Sequence, residues 1–249
     1  MSHKRSAFAR SLAPRSAVVW WMATDAVAAA DQERWIRLLG RSERIRAGRF
    51  RFAEDRRDFI AAHALLRSLL TFYLLRPPAA WRFTTGRAGK PRLAKTLGPP
   101  HVDFNLSHTR GLVAAAIAAH GIVGVDVEKI DPEKADSAVA DANFAAEELA
   151  ILRATPESQR SICFFRLWTL KEAYLKAIGA GLATPLHSFA FTLAPLRINF
   201  VAKPSVSAAA WTFKTLPATS AHVLSVAAAG HAGKQMRVVT RAIAAGDIK

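Results

Sequence analysis

An α+β fold is what this sequence predicts, and three features predict it. Two long segments, "AEDRRDFIAAHALLRSLLTFYLL" and "SICFFRLWTLKEAYLKAIGAGL", space their apolar residues as packed helices do. Short runs of strand length surround them, among them "SAVVWWMA", "GLVAAAIAA" and "HVLSVAAAG". Both halves of the chain also run in one coarse sense, from helix toward strands.

The elements follow in order. "SAVVWWMA" reads as a first strand, and "DAVAAADQERWIRLLG" as a helix with Asp25 near its start and Gly40 at its end. The first long helix, from Ala53, is stopped by Pro77 and Pro78. "WRFTTGRAGKPRLA" reads as strand, Gly-rich turn and strand; "VDFNLSH" and "GLVAAAIAA" follow as strands, and His120-Gly121 turns the chain into "GIVGVDVEKI". Residues 132–161 suit short helices around a Thr-Pro break, and the second long helix ends at Gly179 and Gly181. "FAFTLAPLRINFVA", "AAAWTFKTLP" and "HVLSVAAAG" read as strands of a sheet, while a basic N-terminal tail is expected to be loose and the last residues frayed.

A chain of 249 residues, 51% of them apolar or aromatic, can bury a substantial core. No run reaches the roughly 18 apolar residues that span a bilayer, and the N-terminus lacks a signal peptide's apolar region, so the cytoplasm is expected and a membrane is not. The lone Cys163, within "SICFFRLW", reads as a buried thiol. Lys and Arg total 35 against 19 Asp and Glu, a formal charge of +16, which points to an acidic partner. Arginines crowd between Arg34 and Arg57, where they could meet phosphate or an acidic protein, or simply face solvent.

Chemistry concentrates in four stretches. In "GIVGVDVEKI", strand alternation puts Val123, Val125 and Val127 on one face and the carboxylates of Asp126 and Glu128 on the other. In the second long helix, Trp168, Glu172 and Lys176 stand four apart on one face. That spacing reads as an exposed ion pair worth about 0.3–0.5 kcal/mol, or, in so apolar a helix, as a carboxylate that needs a cation. A third carboxylate reaching Asp126 and Glu128 would make an all-oxygen site of the kind magnesium prefers, and without an ion the acids would raise one another's pKa. Solvated edge charges are the alternative. "GRAGKP" (86–91) offers backbone N–H groups and a lysine without Walker spacing. "FNLSHT" (104–109) places Asn105 and Ser107 on one strand face with His108 beyond, and no G-x-S-x-G elbow accompanies the serine.

Taken together and in this order, "GRAGKP", "FNLSHT", "GVDVE" and "FFRLWTLKEAYLKAIGAGL" resemble the signature of the 4′-phosphopantetheinyl transferases, specifically the larger Sfp-type class. The resemblance extends upstream through "RFRFAEDRRDFIAAHALLR" and covers roughly residues 43–190. It implies two similar α/β halves related by a pseudo-twofold, here divided at residues 1–120 and 121–249, with the active-site cleft between them. It implies transfer of the phosphopantetheine arm of coenzyme A to a serine of an apo carrier protein, with Mg2+ as cofactor and adenosine 3′,5′-bisphosphate released. By position, Asp126, Glu128 and Glu172 correspond to the metal ligands, with Glu172 also the general base, acting directly or through water, and Lys176 on the pyrophosphate. Gly89, Lys90, Pro91, Ser107 and His108 correspond to coenzyme-binding positions, with Arg46, Arg49 and more weakly Arg57 as basic groups near the 3′-phosphate. Carrier proteins are commonly acidic around the modified serine, which would give the positive charge a use. A monomer is expected, because the class carries both halves on one chain.

Three rivals share parts of this pattern. A basic nucleic-acid-binding protein fits the charge, but no zinc pattern, RNP-like motif or clear recognition helix accompanies it, and no nucleic acid is expected. A Mg-dependent phosphodiesterase or nuclease would share the carboxylates without needing the Lys176 and Gly-Lys-Pro context. A catalytically dead interaction module would tolerate loss of Glu172.

Overall fold

The structure, a computed structural model, describes residues 12–86, 89–94, 96, 101–181, 184–200 and 206–249. Its first half runs β1 (Ser16–Ala23), α1 (Ala29–Leu38), α2 (Arg41–Ala47), α3 (Ala53–Leu74), the hairpin β2 (Phe83–Thr85) and β3 (Pro91–Leu93), then β4 (Val102–Thr109) and β5 (Leu112–Ala119). The second half repeats this series as β6 (Gly121–Lys129), α4 (Ser137–Asn143), α5 (Ala146–Ala154), α6 (Glu157–Ile178), the hairpin β7 (Phe189–Leu193) and β8 (Leu196–Phe200), then β9 (Trp211–Thr219) and β10 (His222–Gly230). Sheet order repeats too, β1-β5-β4 against β6-β10-β9. The coarse similarity of the two sequence halves is thus a matching topology.

The repeat reaches individual side chains. Arg67 and Lys171 are each the fifteenth residue of a 22-residue helix. Arg67 pairs with Glu43 of α2 at 2.8 Å, and Lys171 pairs with Glu148 of α5 at 2.7 Å. Both carboxylates also accept from the backbone N–H at the start of their own helix, Gly40 and Ala145. Both cations donate to carbonyls just before or at the following hairpin, Pro78 and Trp81 for Arg67, Leu186 and Phe189 for Lys171. Each lies over the first phenylalanine of that hairpin, Phe83 or Phe189. Each clamp satisfies buried charges while tying two helices to a hairpin.

Burial follows from alternation. Val18, Trp20 and Met22 face the core beneath α3, while Ala17 and Val19 face the other sheet. There Ala114, Ala116 and Ala118 of β5 meet Val123, Val125 and Val127 of β6 and Leu224 and Val226 of β10. β5 is buried along its whole length because both of its faces are covered, which accounts for its unbroken apolar sequence. A third cluster, around Phe164, Leu167, Leu170 and Tyr174, fills the space between α6 and the second sheet. Cys163 is a buried free thiol, as its neighbours predict.

Side chains stitch the halves together. On β4, Asp103, Asn105 and Ser107 accept hydrogen bonds from the N–H groups of Val123, Val125 and Val127 on β6, at 2.9, 2.9 and 3.4 Å. These alternating acceptors stand in for a missing strand partner, so the polar face of "VDFNLSHT" is structural as well as chemical.

Three expectations are corrected. The chain end is not frayed: β11 (Arg237–Ala242) pairs in parallel with β1, Ile248 is fully buried, and Ser68 Oγ donates to Lys249 O at 3.1 Å. Residues of the second sequence half therefore complete the first sheet. Asp25 does not start α1, whose first residue is Ala29; its carboxylate meets Arg57 instead. Residues 189–200 fold back as the β7–β8 hairpin, a two-stranded sheet apart from β9 and β10, with Phe189 opposite Phe200.

Candidate active site

The site exists because α6 lies hard against β6. A Cβ placed on Gly124 would sit 2.0 Å from Ala173 O and 2.4 Å from Ala177 N, so only glycine permits this crossing. Asp126 and Glu128 follow on the same strand face, while Glu172 and Lys176 each precede one of the two alanines that touch Gly124. The crossing brings strand acids to helix charges.

Lys176 Nζ donates to Asp126 Oδ1 at 2.5 Å and to Ser107 Oγ at 3.0 Å, and Ser107 donates in turn to Asp126 Oδ1 at 2.9 Å. Thr109 Oγ1 donates to Glu128 Oε2 at 3.2 Å. Asp126 Oδ2 is buried and has no hydrogen-bond partner. Burial, then the Asp126 charge, pushes the Glu128 carboxyl up to about 7, with Glu172 adding to the push and Thr109 and Lys176 opposing it. Burial and Asp126 likewise raise Glu172 against the pull of Lys176. For Lys176, burial works to lower the ammonium, and Asp126, Glu172 and Glu128 outweigh it. Three carboxylates thus crowd one lysine.

Among the described residues, no three His, Cys, Asp or Glu side chains stand as a ready-made metal cluster. The donors nevertheless fit a hard divalent cation: all are oxygens, they disfavour one another's charge, and one buried oxygen is left without a partner.

Two clefts meet near this cluster. One, of about 290 Å³, is lined by Gly89, Lys90, Pro91, Asn105, Glu172 and Lys176, with Leu175, Gly179 and Gly181. The other, of about 620 Å³, shares Pro91 and is lined by Arg41, Arg46, His63 and Arg82 together with Phe59. His108 stands edge-on to Phe59 at 6.4 Å, His63 packs on the same ring at 4.3 Å, and the Arg46 guanidinium lies 5.2 Å above it. Burial and then the electrostatic influence of His63, Lys176 and Arg46 push His108 down, with Asp58 opposing.

Of the residues singled out from sequence, the structure gathers Asp126, Glu172, Lys176 and Ser107, with Glu128 beside them, and lines the adjoining clefts with Gly89, Lys90, Pro91 and Arg46. Arg49 is exposed just beyond α2. Arg57 is engaged elsewhere, bonded to Asp58 at 2.9 Å and Asp25 at 3.4 Å. Part of the arginine run serves the fold, with Arg34 on Ala245 O and Arg44 on Leu39 O. Arg87 lies outside the described residues. Sequence reasoning missed Thr109, His63 and Glu43; the only trace of Glu43 was its place three residues after Gly40, the spacing of a capping box.

The chain is also similar to known proteins. The profile for the 4′-phosphopantetheinyl transferase superfamily matches residues 122–227, and that for the 4′-phosphopantetheinyl transferase N-terminal region matches residues 24–120. The chain is 37% identical to the 4′-phosphopantetheinyl transferase HetI of Nostoc sp. over 192 residues, covering 77% of this chain and 79% of that one. It is 34% identical to psf-1 of Bacillus pumilus over 147 residues (59% and 60% of the two chains), and 29% identical to Sfp of Bacillus subtilis over 163 residues (66% and 70%). The chain belongs to the 4′-phosphopantetheinyl transferase superfamily. Within it, the protein is an enzyme of the Sfp type, with both α+β halves on one chain.

Proposed function

We propose that the protein transfers the 4′-phosphopantetheine arm of coenzyme A to a serine of an apo acyl or peptidyl carrier protein, with Mg2+, releasing adenosine 3′,5′-bisphosphate. The single observation that carries this reading is the Asp126–Lys176–Ser107 cluster, with Glu172 beside it, at the wall of the cleft that also holds Gly89 and Pro91. Asp126, Glu128 and Glu172 would hold the cation, which when bound neutralises the diphosphate as the phosphorus–oxygen bond breaks. Lys176, already charged by its acidic neighbours, places a second positive charge at the same end of the cleft. Glu172 takes the proton of the incoming serine hydroxyl. The basic cleft suits the nucleotide end of coenzyme A, with Arg46 and His108 toward its 3′-phosphate.

The formal charge of +16 supports steering of an acidic carrier, an attraction that salt weakens. Among the described residues no helix is long and apolar enough to cross a membrane. We take the protein to work as a monomer in the cytoplasm, each chain holding both walls of its cleft.

The test is intact-mass measurement of apo carriers from several pathways after incubation with the protein, coenzyme A and Mg2+. A gain of about 340 Da, the mass of the transferred arm, is expected on at least one. No gain on any carrier would count against the assignment, and coenzyme A hydrolysis without a carrier would favour a phosphodiesterase.

A further inference from the structure

Lys90, in the Gly-Lys-Pro stretch, lies at the cleft where a positive charge invites assignment to substrate phosphate, yet its ammonium is fully used by the protein. An ammonium has three N–H donors and no acceptor. Those of Lys90 go to Asp103 Oδ2 at 2.6 Å, Ala177 O at 3.0 Å and Val123 O at 3.1 Å. The side chain is 8% exposed. Asp103 Oδ2 also accepts from Val123 N at 2.9 Å, which closes the network on both sides. Its acceptors sit on three elements: β4 from the first half, and β6 and the last turn of α6 from the second.

These contacts fix the walls of the smaller cleft. Gly89 and Pro91, next to Lys90, form one side, and Leu175, Gly179 and Gly181, around Ala177, form the other. The Lys90 stem lies against Gly179, where an added Cβ would be 3.5 Å from its Cδ. We propose that Lys90 is a positioning residue: a strut between the halves that sets the width of the coenzyme cleft, and not a contact to substrate phosphate. The inference rests on reading this cleft as the coenzyme A site.

The two roles give opposite results at Asp103. If Lys90 is a strut, Asp103→Asn takes the charge from its anchor while leaving a carbonyl for Val123 N, and coenzyme A binds more weakly. If Lys90 touches phosphate, the same change frees the ammonium and binding is unchanged or tighter. Calorimetric titration of the full chain with coenzyme A is expected to show Lys90→Met and Asp103→Asn each weakening binding about tenfold, as loss of a buried charged hydrogen bond does. The double variant is expected to bind no worse than the weaker single one. Lys90→Arg should not restore binding, because a planar guanidinium cannot meet three convergent acceptors. In turnover, the loss should fall on KM for coenzyme A and leave kcat nearly unchanged. Wild-type affinity in Asp103→Asn, or recovery in Lys90→Arg, would overturn the strut. A wild-type chain that binds no coenzyme A would instead overturn the functional reading on which the strut rests. If Lys90→Met does not fold, Asp103→Asn and Lys90→Arg still decide the matter.

Discussion

Arg67 in α3 and Lys171 in α6 hold the same station in two matching halves, but their surroundings have diverged. One residue beyond Arg67 stands Ser68, bonded to the chain's last carbonyl, and four further stands Phe72, packed 5.4 Å from Trp20. At the same stations in α6 stand Glu172 and Lys176. The clamps differ as well. Lys171 and Glu148 are fully buried, whereas Glu43 gives its second oxygen to His63 at 2.9 Å on the wall of the larger cleft. A buried clamp that fixes helix to hairpin serves either half; the residues just past it decide whether the helix merely packs or does chemistry.

That contrast can be broken at several points, the largest effect first. Glu172→Gln should lower kcat/KM for carrier modification by about 10²–10⁴-fold, the range for loss of a general base. Ser68→Ala at the matching station should leave turnover unchanged. A fully active Glu172→Gln would move the chemistry out of α6.

Cutting each clamp comes next. Lys171→Met strands Glu148 in the core and should cost about 3–5 kcal/mol in urea unfolding. Arg67→Met should cost less, because His63 still faces Glu43. Equal losses would mean that His63 lends Glu43 no support. Gly124→Ala should cost about 1–3 kcal/mol or more by pushing α6 off β6, and transfer should fall with it. Unchanged stability would contradict the close crossing.

The smallest effect is on pH. Burial alone would raise the Glu43 carboxyl, but His63 and Arg67 hold it at about 2, below the ordinary 4.5. A carboxyl lowered by folding contributes its full stability above pH 4.5 and loses it as the pH falls toward 2. The stability gap between wild type and Glu43→Gln should therefore narrow across that window. A gap independent of pH would show that Glu43 is not held ionised by its partners.

Local patterns were legible because local physics sets them. β1 spans the eight residues its apolar run predicts, α3 matches its helical period to within a residue at its end, and the two faces of β6 follow from alternation alone. Spacing also put Glu172 and Lys176 on one face of α6. What stayed hidden depends on partners far along the chain. "RVVTRA" is a basic, half-exposed stretch until β1 supplies its ladder, so β11 left no local signature. Arg67, Glu148 and Lys171 escaped notice because nothing nearby in sequence announces their burial. The partners of Lys90 were hidden for the same reason: its acceptors lie 13, 33 and 87 residues away.

The proposed chemistry depends on the acids gathered where α6 crosses β6 holding a divalent ion against the substrate. Binding of Mn2+ followed by electron paramagnetic resonance, with coenzyme A present, tests it most directly. One tightly held ion per wild-type chain, lost in both Asp126→Asn and Glu172→Gln, is the predicted result. Undiminished Mn2+ affinity in those two variants would contradict it.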